Sequence, residues 1–302
     1  MKHAYLIIAH NDFDILKKQL ILLDDSRNDF YIHIDKKVKN FPYDKFIKLT
    51  KFSRVHFIES TDIRWGDFSM VACELALLKT AIKGEYRYYH LLSGVDMPLK
   101  SNNEIHSFFA EHDGLEFVHF CPDHLAKAVR DRMDRRYIMR WMKPYKKGVI
   151  GFAAKMIAYL FLYTQRVLGI RRKINKNIHF GFGSQWFSIT SELAKYILSN
   201  EDWIYQHFRF TCCSDEHFLQ TLILQSTFAD SLFIEGKNSD CVANMRYIDW
   251  KRGNPYVFRL EDSCLLTESS YLFARKFNTK IDSQIVEVIF EHVRKKNEKQ
   301  LP

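Results

Sequence analysis

The chain has 302 residues, 47% of them hydrophobic, with 11 Gly and 6 Pro. That composition excludes a disordered or fibrous protein and leaves room for one large globular domain or two small ones. Lys and Arg number 45 against 36 Asp and Glu, a formal net charge of +9. The six cysteines, at 73, 121, 212, 213, 241 and 264, form no CxxC pair and no metal-ligand spacing, which points away from a disulfide framework and towards a reducing compartment.

Tyr5 to Ala9 is an apolar run too short for the core of a signal peptide, and His10, Asn11 and Asp12 follow it at once; it reads as a buried first strand. Phe13, Ile15, Leu16, Leu20 and Leu23 repeat at helical spacing. A second strand is predicted over Phe30 to Asp35, a short helix over 46–49 and a third strand over Val55 to Ile58. Val71, Leu75, Leu78 and Ile82 mark one face of a further helix, and Tyr88 to Leu92 a fourth strand that ends in Ser93-Gly94-Val95-Asp96. Strands alternating with helices predict an α/β fold with a mostly parallel sheet covered on both faces. Ligands of such sheets sit beyond the carboxyl ends of the strands. The rule singles out His10-Asn11-Asp12, Asp35-Lys36-Lys37 and Ser93 to Asp96. No Walker loop or GxGxxG follows the first strand. The expectation is also that no Asp-x-Asp follows an apolar strand in this half, and Asp96 stands alone before Met97-Pro98.

Further on, Cys212-Cys213-Ser214-Asp215-Glu216-His217 precedes apolar Phe218, Leu219, Leu222 and Ile223. Ser214 is placed to cap a helix, with Asp215 and Glu216 in its first turn. Taken alone, these are two acids decorating a helix start.

The chain as a whole carries more. In order it presents Tyr5-Leu6-Ile7-Ile8-Ala9-His10, Tyr31-Ile32-His33-Ile34-Asp35-Lys36-Lys37, Arg64-Trp65-Gly66-Asp67-Phe68-Ser69, and His90-Leu91-Leu92-Ser93-Gly94-Val95-Asp96-Met97-Pro98. Gly183-Ser184-Gln185-Trp186-Phe187-Ser188, Ser214-Asp215-Glu216, Arg246-Tyr247-Ile248-Asp249-Trp250 and Leu272-Phe273-Ala274-Arg275-Lys276-Phe277 follow. This series resembles the core-2/I-branching glycosyltransferase family, which includes the protein xylosyltransferases, and it covers nearly the whole chain. The resemblance implies a GT-A fold, a nucleotide-sugar donor (usually UDP-GlcNAc), inversion at the anomeric carbon and no metal or other cofactor. Animal members are anchored Golgi enzymes with disulfides; this chain looks like a short bacterial relative.

The resemblance places the general base at Glu216, an inverting transfer needing one carboxylate to deprotonate the acceptor hydroxyl. Asp215 is then structural, and a helix start would keep the Glu216 carboxyl more acidic than usual. Cations would hold the diphosphate: Lys276 matches the family's Lys, while Arg252, Arg246 and Arg259 compete as its partner. For the nucleoside, His10, Asp35, Arg64 and Trp65 are candidates alongside Asp96. For the sugars, the candidates are Gly183, Ser184, Gln185 and Trp186, the last packing on a sugar face.

Residues 127–176 hold 15 Lys and Arg against two acids, so everything else is net acidic. Within them, Val149, Phe152, Ala153, Met156, Ile157, Leu160 and Phe161 recur at helical spacing. Such a segment reads either as a membrane-surface helix or as an ordinary helix with its apolar face in the core. The expectation is a single domain, 1–302: a nucleotide-binding half (1–125), a basic helical segment (126–177) and an acceptor and catalytic half (178–302). Its function would be transfer from a UDP-sugar to a glycan or lipid-linked acceptor, in the cytoplasm or at the inner membrane face beside anionic lipid. UDP-xylose is the alternative donor. A reading of another class is a non-catalytic basic membrane- or nucleic-acid-binding protein; no nucleic-acid-binding motif accompanies it.

Overall fold

A computed structural model describes residues 1–121, 126–143, 148–173, 175, 177–233 and 243–299. Cys241 and three basic-segment lysines, Lys146, Lys147 and Lys176, lie outside the described residues.

The predicted alternation is present. Strand β1 (His3–Ala9) leads through helix α1 (Phe13–Leu22) to β2 (Asn28–Ile34). Helix α2 (Tyr43–Ile47), three residues earlier than expected, leads to β3 (Arg54–Phe57), and α3 (Ser69–Ala81) to β4 (Tyr88–Ser93). These four strands are parallel, in the order β3-β2-β1-β4. Side chains alternate across the pleat: Ala4, Leu6 and Ile8 of β1 join the core cluster that includes α3, while Tyr5, Ile7 and Ala9 join the one that includes α1. Burial on both faces is why these strands read as continuous apolar runs.

Next come β5 (Met97–Pro98), α4 (Asn102–Glu111) and β6 (Phe117–Val118). Helices α5 (Ala126–Asp134), α6 (Met139–Met142) and α7 (Val149–Val167) follow. Strand β7 (Phe187–Thr190) then returns to the first sheet, antiparallel to both β4 and β6. The chain continues through α8 (Ser191–Ser199), α9 (Glu201–Phe208) and α10 (Phe218–Ile223) to β8 (Arg246–Ile248). It ends with α11 (Ser263–Thr267), β9 (Phe273–Arg275) and α12 (Ser283–Glu298). Strands β5, β9 and β8 make a second, small sheet.

Strand order reverses at β1, with β2 on one side and β4 on the other, so the crevice expected of such sheets belongs beyond Ala9 and Ser93. The two strand ends come very close there. Gly94 N–H donates to the Ile8 carbonyl at 2.9 Å, and a Cβ on Gly94 would lie 2.6 Å from that of Ala9. The small sheet aligns β9 antiparallel to β5, setting Arg275 beside the crevice.

Candidate functional site

The rim of the crevice is made by the strand ends. Asp35 is buried: one carboxylate oxygen accepts the Lys37 backbone N–H at 2.8 Å and the other pairs with Lys37 Nζ at 2.9 Å. Lys37 also donates to the Ile63 carbonyl and lies 3.4 Å from Asp62, which pairs with Arg64 at 2.9 Å. Arg64 is thus tied into an ion-pair chain. Trp65 is 61% exposed, with Lys143 Nζ 3.2 Å from its ring centroid. His10 reaches solvent, yet the protein around it lowers its pKa; Arg275, Lys37 and Lys276 push the same way and Asp35 opposes them. Four charged side chains from two segments therefore act on one imidazole.

Asp96 is buried behind this rim. It accepts from Ser93 N–H at 2.8 Å and pairs with Arg275 at 2.8 Å, though burial still raises its pKa. The Arg275 guanidinium lies 4.3 Å over the Trp186 ring, and Trp186 is itself buried. Arg275 thus occupies one face of the ring expected to pack on a sugar. Lys276, next in the chain, is partly buried; burial and then Arg275 lower its pKa.

The competing arginines are otherwise engaged. Arg246 is fully buried and donates to the carbonyls of Asn244, Leu91 and Phe187 and to Ser188 Oγ. Burial drops its pKa to about 9. It joins the two sheets and has no donor turned to the crevice among these bonds. Arg252 is clamped between Asp249 at 2.5 Å and Asp262 at 2.7 Å, and Arg259 is exposed, its backbone N–H on Asp262. The sequence does contain an Asp-x-Asp just past the first strand, Asp12-Phe13-Asp14, a correction to the reading above. Both Asp12 oxygens accept from Thr279, at 2.7 and 2.8 Å, and Asp14 is exposed on α1.

The second group of candidates is the Cys213–His217 turn. Ser214 does not cap a helix: Cys213 adopts the left-handed conformation (φ 53°), its N–H bonded to the Gly66 carbonyl, and Ser214–Glu216 form a single 3-10 turn. Ser214 Oγ is buried without a hydrogen-bond partner among the described residues. Helix α10 starts only at Phe218 and is buried all round. Successive 3-10 residues point about 120° apart, so Asp215 turns inward and Glu216 outward.

The two carboxyls therefore differ. Asp215 is buried, with Oδ1 unpartnered, and burial, reinforced by Glu216, raises its pKa to about 7. Beneath it Glu74, fully buried on α3, is raised by burial and by Asp215. Glu216 is half-buried and pairs with Arg132 of α5 at 2.9 Å. Burial raises its pKa while Arg132 opposes the rise. The expected acidic helix-start carboxyl is thus corrected: desolvation outweighs a dipole that one short turn scarcely supplies.

The 181–186 loop joins rim to turn. Gly183 N–H donates to the Glu216 carbonyl at 2.9 Å, and His217 Nδ1 meets the Gly181 carbonyl at 3.1 Å. Gln220 donates to the carbonyls of Ser184 and His119. A side chain on Gly183 would overlap the His119 carbonyl oxygen, and a Cβ on Gly181 would sit 2.6 Å from Gln220 Cβ. Only glycine permits this approach. Ser184 N–H donates to His119 Nδ1, while Gln185, a predicted sugar contact, turns inward to Glu74 at 3.1 Å. A cavity of 620 Å³ lies to one side, lined by His33, Thr61, Asp62, Tyr137 and Arg140 among others; neither Glu216 nor Lys276 lines it. The site is therefore placed by its chemistry. Sequence reasoning missed Arg132, which is one member of a charge run, and Glu74, hidden in the apolar pattern of α3.

The profile of the Core-2/I-branching enzyme family matches residues 3–270. Rat xylosyltransferase 2 is 22% identical over 96% of this chain and 33% of its own length, and xylosyltransferase sqv-6 of Caenorhabditis briggsae 25% over 85% and 32%. The chain thus spans about a third of these xylosyltransferases. Human beta-1,3-galactosyl-O-glycosyl-glycoprotein beta-1,6-N-acetylglucosaminyltransferase is 24% identical over 97% of the chain and 70% of its own. Mouse xyloside xylosyltransferase 1, in its apo form, superposes with a TM-score of 0.39 and 10% identity over 91% of this chain and 97% of that one, too loose a likeness to carry weight. The match over residues 3–270, with a mainly parallel sheet opening at its β1–β4 switch point, gives a GT-A-like fold and makes this chain a member of the Core-2/I-branching enzyme family.

Proposed function

We propose that the chain is an inverting glycosyltransferase that moves GlcNAc from UDP-GlcNAc to a hydroxyl of a glycan or lipid-linked acceptor, without a metal ion. The observation that carries this is Glu216, an outward carboxyl with an elevated pKa, locked to the 181–186 loop and salt-bridged to Arg132. Its carboxylate takes the proton of the acceptor hydroxyl as that oxygen attacks the anomeric carbon. The bond from that carbon to the diphosphate breaks, and the electron pair goes to the phosphate oxygen. Lys276 stabilises the departing charge, and His10, Asp35 and Trp65 border the donor. Metal independence is supported by the way the acids are spent: Asp96 on Arg275 and Ser93, Asp12 on Thr279.

UDP-xylose is a second reading of the donor, favoured by the relatives named as xylosyltransferases. UDP release from a panel of UDP-sugars, with and without EDTA, tests both parts. The expected result is slow UDP release, fastest from UDP-GlcNAc and unchanged by chelation. Release from no UDP-sugar would remove the transferase reading. Loss in EDTA with recovery in Mn²⁺ would remove metal independence alone.

A further inference from the structure

Helix α7 turns its apolar side outward. Val149, Ile150, Phe152, Met156, Leu160 and Val167 are between 52% and 85% exposed, while Gly151, Ala158, Leu162 and Gln165 form the buried strip. At 100° per residue, the exposed set spans an arc of roughly 160° with no charged side chain in it. Lys155 and Arg166 fall about 40° to 60° outside it, between the arc and the buried strip. The core alternative for this helix is thereby corrected, since the residues expected to be buried are the exposed ones. No described helix is long and apolar enough to cross a membrane.

The segment that carries the arc is strongly basic in sequence. Residues 127–176 carry 15 basic side chains against two acids, and both acids are internally paired. Asp131 bonds Arg135 and Arg166, and Asp134 lies 3.5 Å from Arg171. A second copy seated on this face would bring two strongly basic segments together. A nucleic acid would leave the apolar arc in water. An anionic bilayer satisfies both, taking the apolar side chains below its headgroups while those headgroups neutralise the basic rim.

The helix is also fixed to the proposed base. Leu162 packs with Tyr137 and Met139 against Cys212, in the segment that leads to Glu216. Gln165 exchanges two 3.0 Å hydrogen bonds with the Arg136 backbone, and Arg166 reaches Asp131 of α5 at 3.1 Å. Helix α5 in turn delivers Arg132 to Glu216. We infer that α7 docks the protein on an anionic membrane surface and so presents Glu216 to an acceptor hydroxyl carried by lipid. The acceptor half of this inference rests on the function proposed above; the docking half does not.

Flotation with vesicles of equal parts phosphatidylcholine and phosphatidylglycerol, and with phosphatidylcholine alone, tests it. Wild type should float with the first and not the second, and added salt should release it as the charges are screened. Phe152→Ser with Met156→Ser and Leu160→Ser should reduce the floated fraction about tenfold or more, with melting temperature and UDP release unchanged because these side chains are exposed. Failure of the wild type to float, equal flotation with neutral vesicles, or a dimer in solution that the triple variant dissolves would each overturn docking. A wild type that floats but releases no UDP from any UDP-sugar would leave docking standing and remove the catalytic reading instead. Transfer to a soluble acceptor matching a lipid-linked one in the presence of these vesicles would remove the lipid acceptor.

Discussion

The strand-end rim and the Cys213–His217 turn meet the same 181–186 loop but are built differently. On the rim charges are matched: Lys37 with Asp35 and Asp62, Arg275 with Asp96. In the turn, polar atoms are enclosed unmatched, with Ser214 Oγ, Asp215 Oδ1 and His217 Nε2 all lacking a partner among the described residues. Matched charges hold a geometry; unmatched buried groups cost stability and shift their protonation. The comparison teaches where each kind of work is done. On the proposed function, the rim would meet the departing diphosphate and the turn would hold the carboxyl that takes the proton.

The sharpest way to break that division is Glu216→Gln. It keeps the shape and removes the base, so transfer should fall by about 10² to 10⁴ with donor affinity kept. In wild type the acid limb of the rate should lie above the ordinary carboxylate range, because burial raises the Glu216 pKa and the rate is lost as pH falls through it. Initial rates across pH check both. Transfer within a few-fold of wild type would move the base elsewhere.

Lys276→Ala tests the rim. Losing one charge-assisted contact, about 1.5 to 3 kcal/mol, should weaken UDP binding and kcat/KM together by roughly 10- to 100-fold. Arg252→Ala should leave UDP binding unchanged, since its guanidinium is spent on Asp249 and Asp262. Titration calorimetry with UDP decides between the two cations, and a larger loss from Arg252→Ala would reverse the assignment.

The rim was far more legible in the sequence than the turn, for a physical reason. His10, Asp35 and Asp96 follow strands whose apolar runs are local signals, and the parallel order brings strand ends together automatically. Arg275 reaches Asp96 from 179 positions away, through strands of two and three residues that leave no periodicity to read. At Ser214 the local signal was misleading. Its capping pattern is intact, but the Gly66 carbonyl holds Cys213 in a left-handed turn, and a tertiary bond overrides the propensity. Arg132 meets Glu216 across 84 positions from a run of similar cations.

The loop between the two regions can be tested through Gly183. Alanine there must displace the His119 carbonyl or the loop itself, and overpacking of this kind costs about 1 to 3 kcal/mol. Thermal unfolding should show that loss, with transfer reduced beyond it because Gly183 also bonds the Glu216 carbonyl. A variant as stable and as active as wild type would mean the loop does not fix the base.

Asp215→Asn should have the smallest effect on transfer and separates the two carboxyls of the turn. In the folded chain Asp215 titrates near 7, against an ordinary value of 3.8. Between those values the folded chain keeps a proton that the unfolded chain has released. Wild-type stability should therefore fall as pH rises from about 4 to about 7 on this account, and stay level above. Asparagine cannot ionise, so the variant should gain on wild type by several kcal/mol at pH 8, about 1.4 kcal/mol for each unit of that shift, with the gain shrinking towards pH 4. Glu74, raised by burial and by Asp215 itself, will keep part of the slope in the variant. Transfer at pH 8 should persist, because the proposed base is Glu216 and Asp215 is buried. Denaturant unfolding at the two pH values measures the difference. A gain equal at both would show that the effect is packing, and that the turn does not hold a carboxyl forced towards its neutral form.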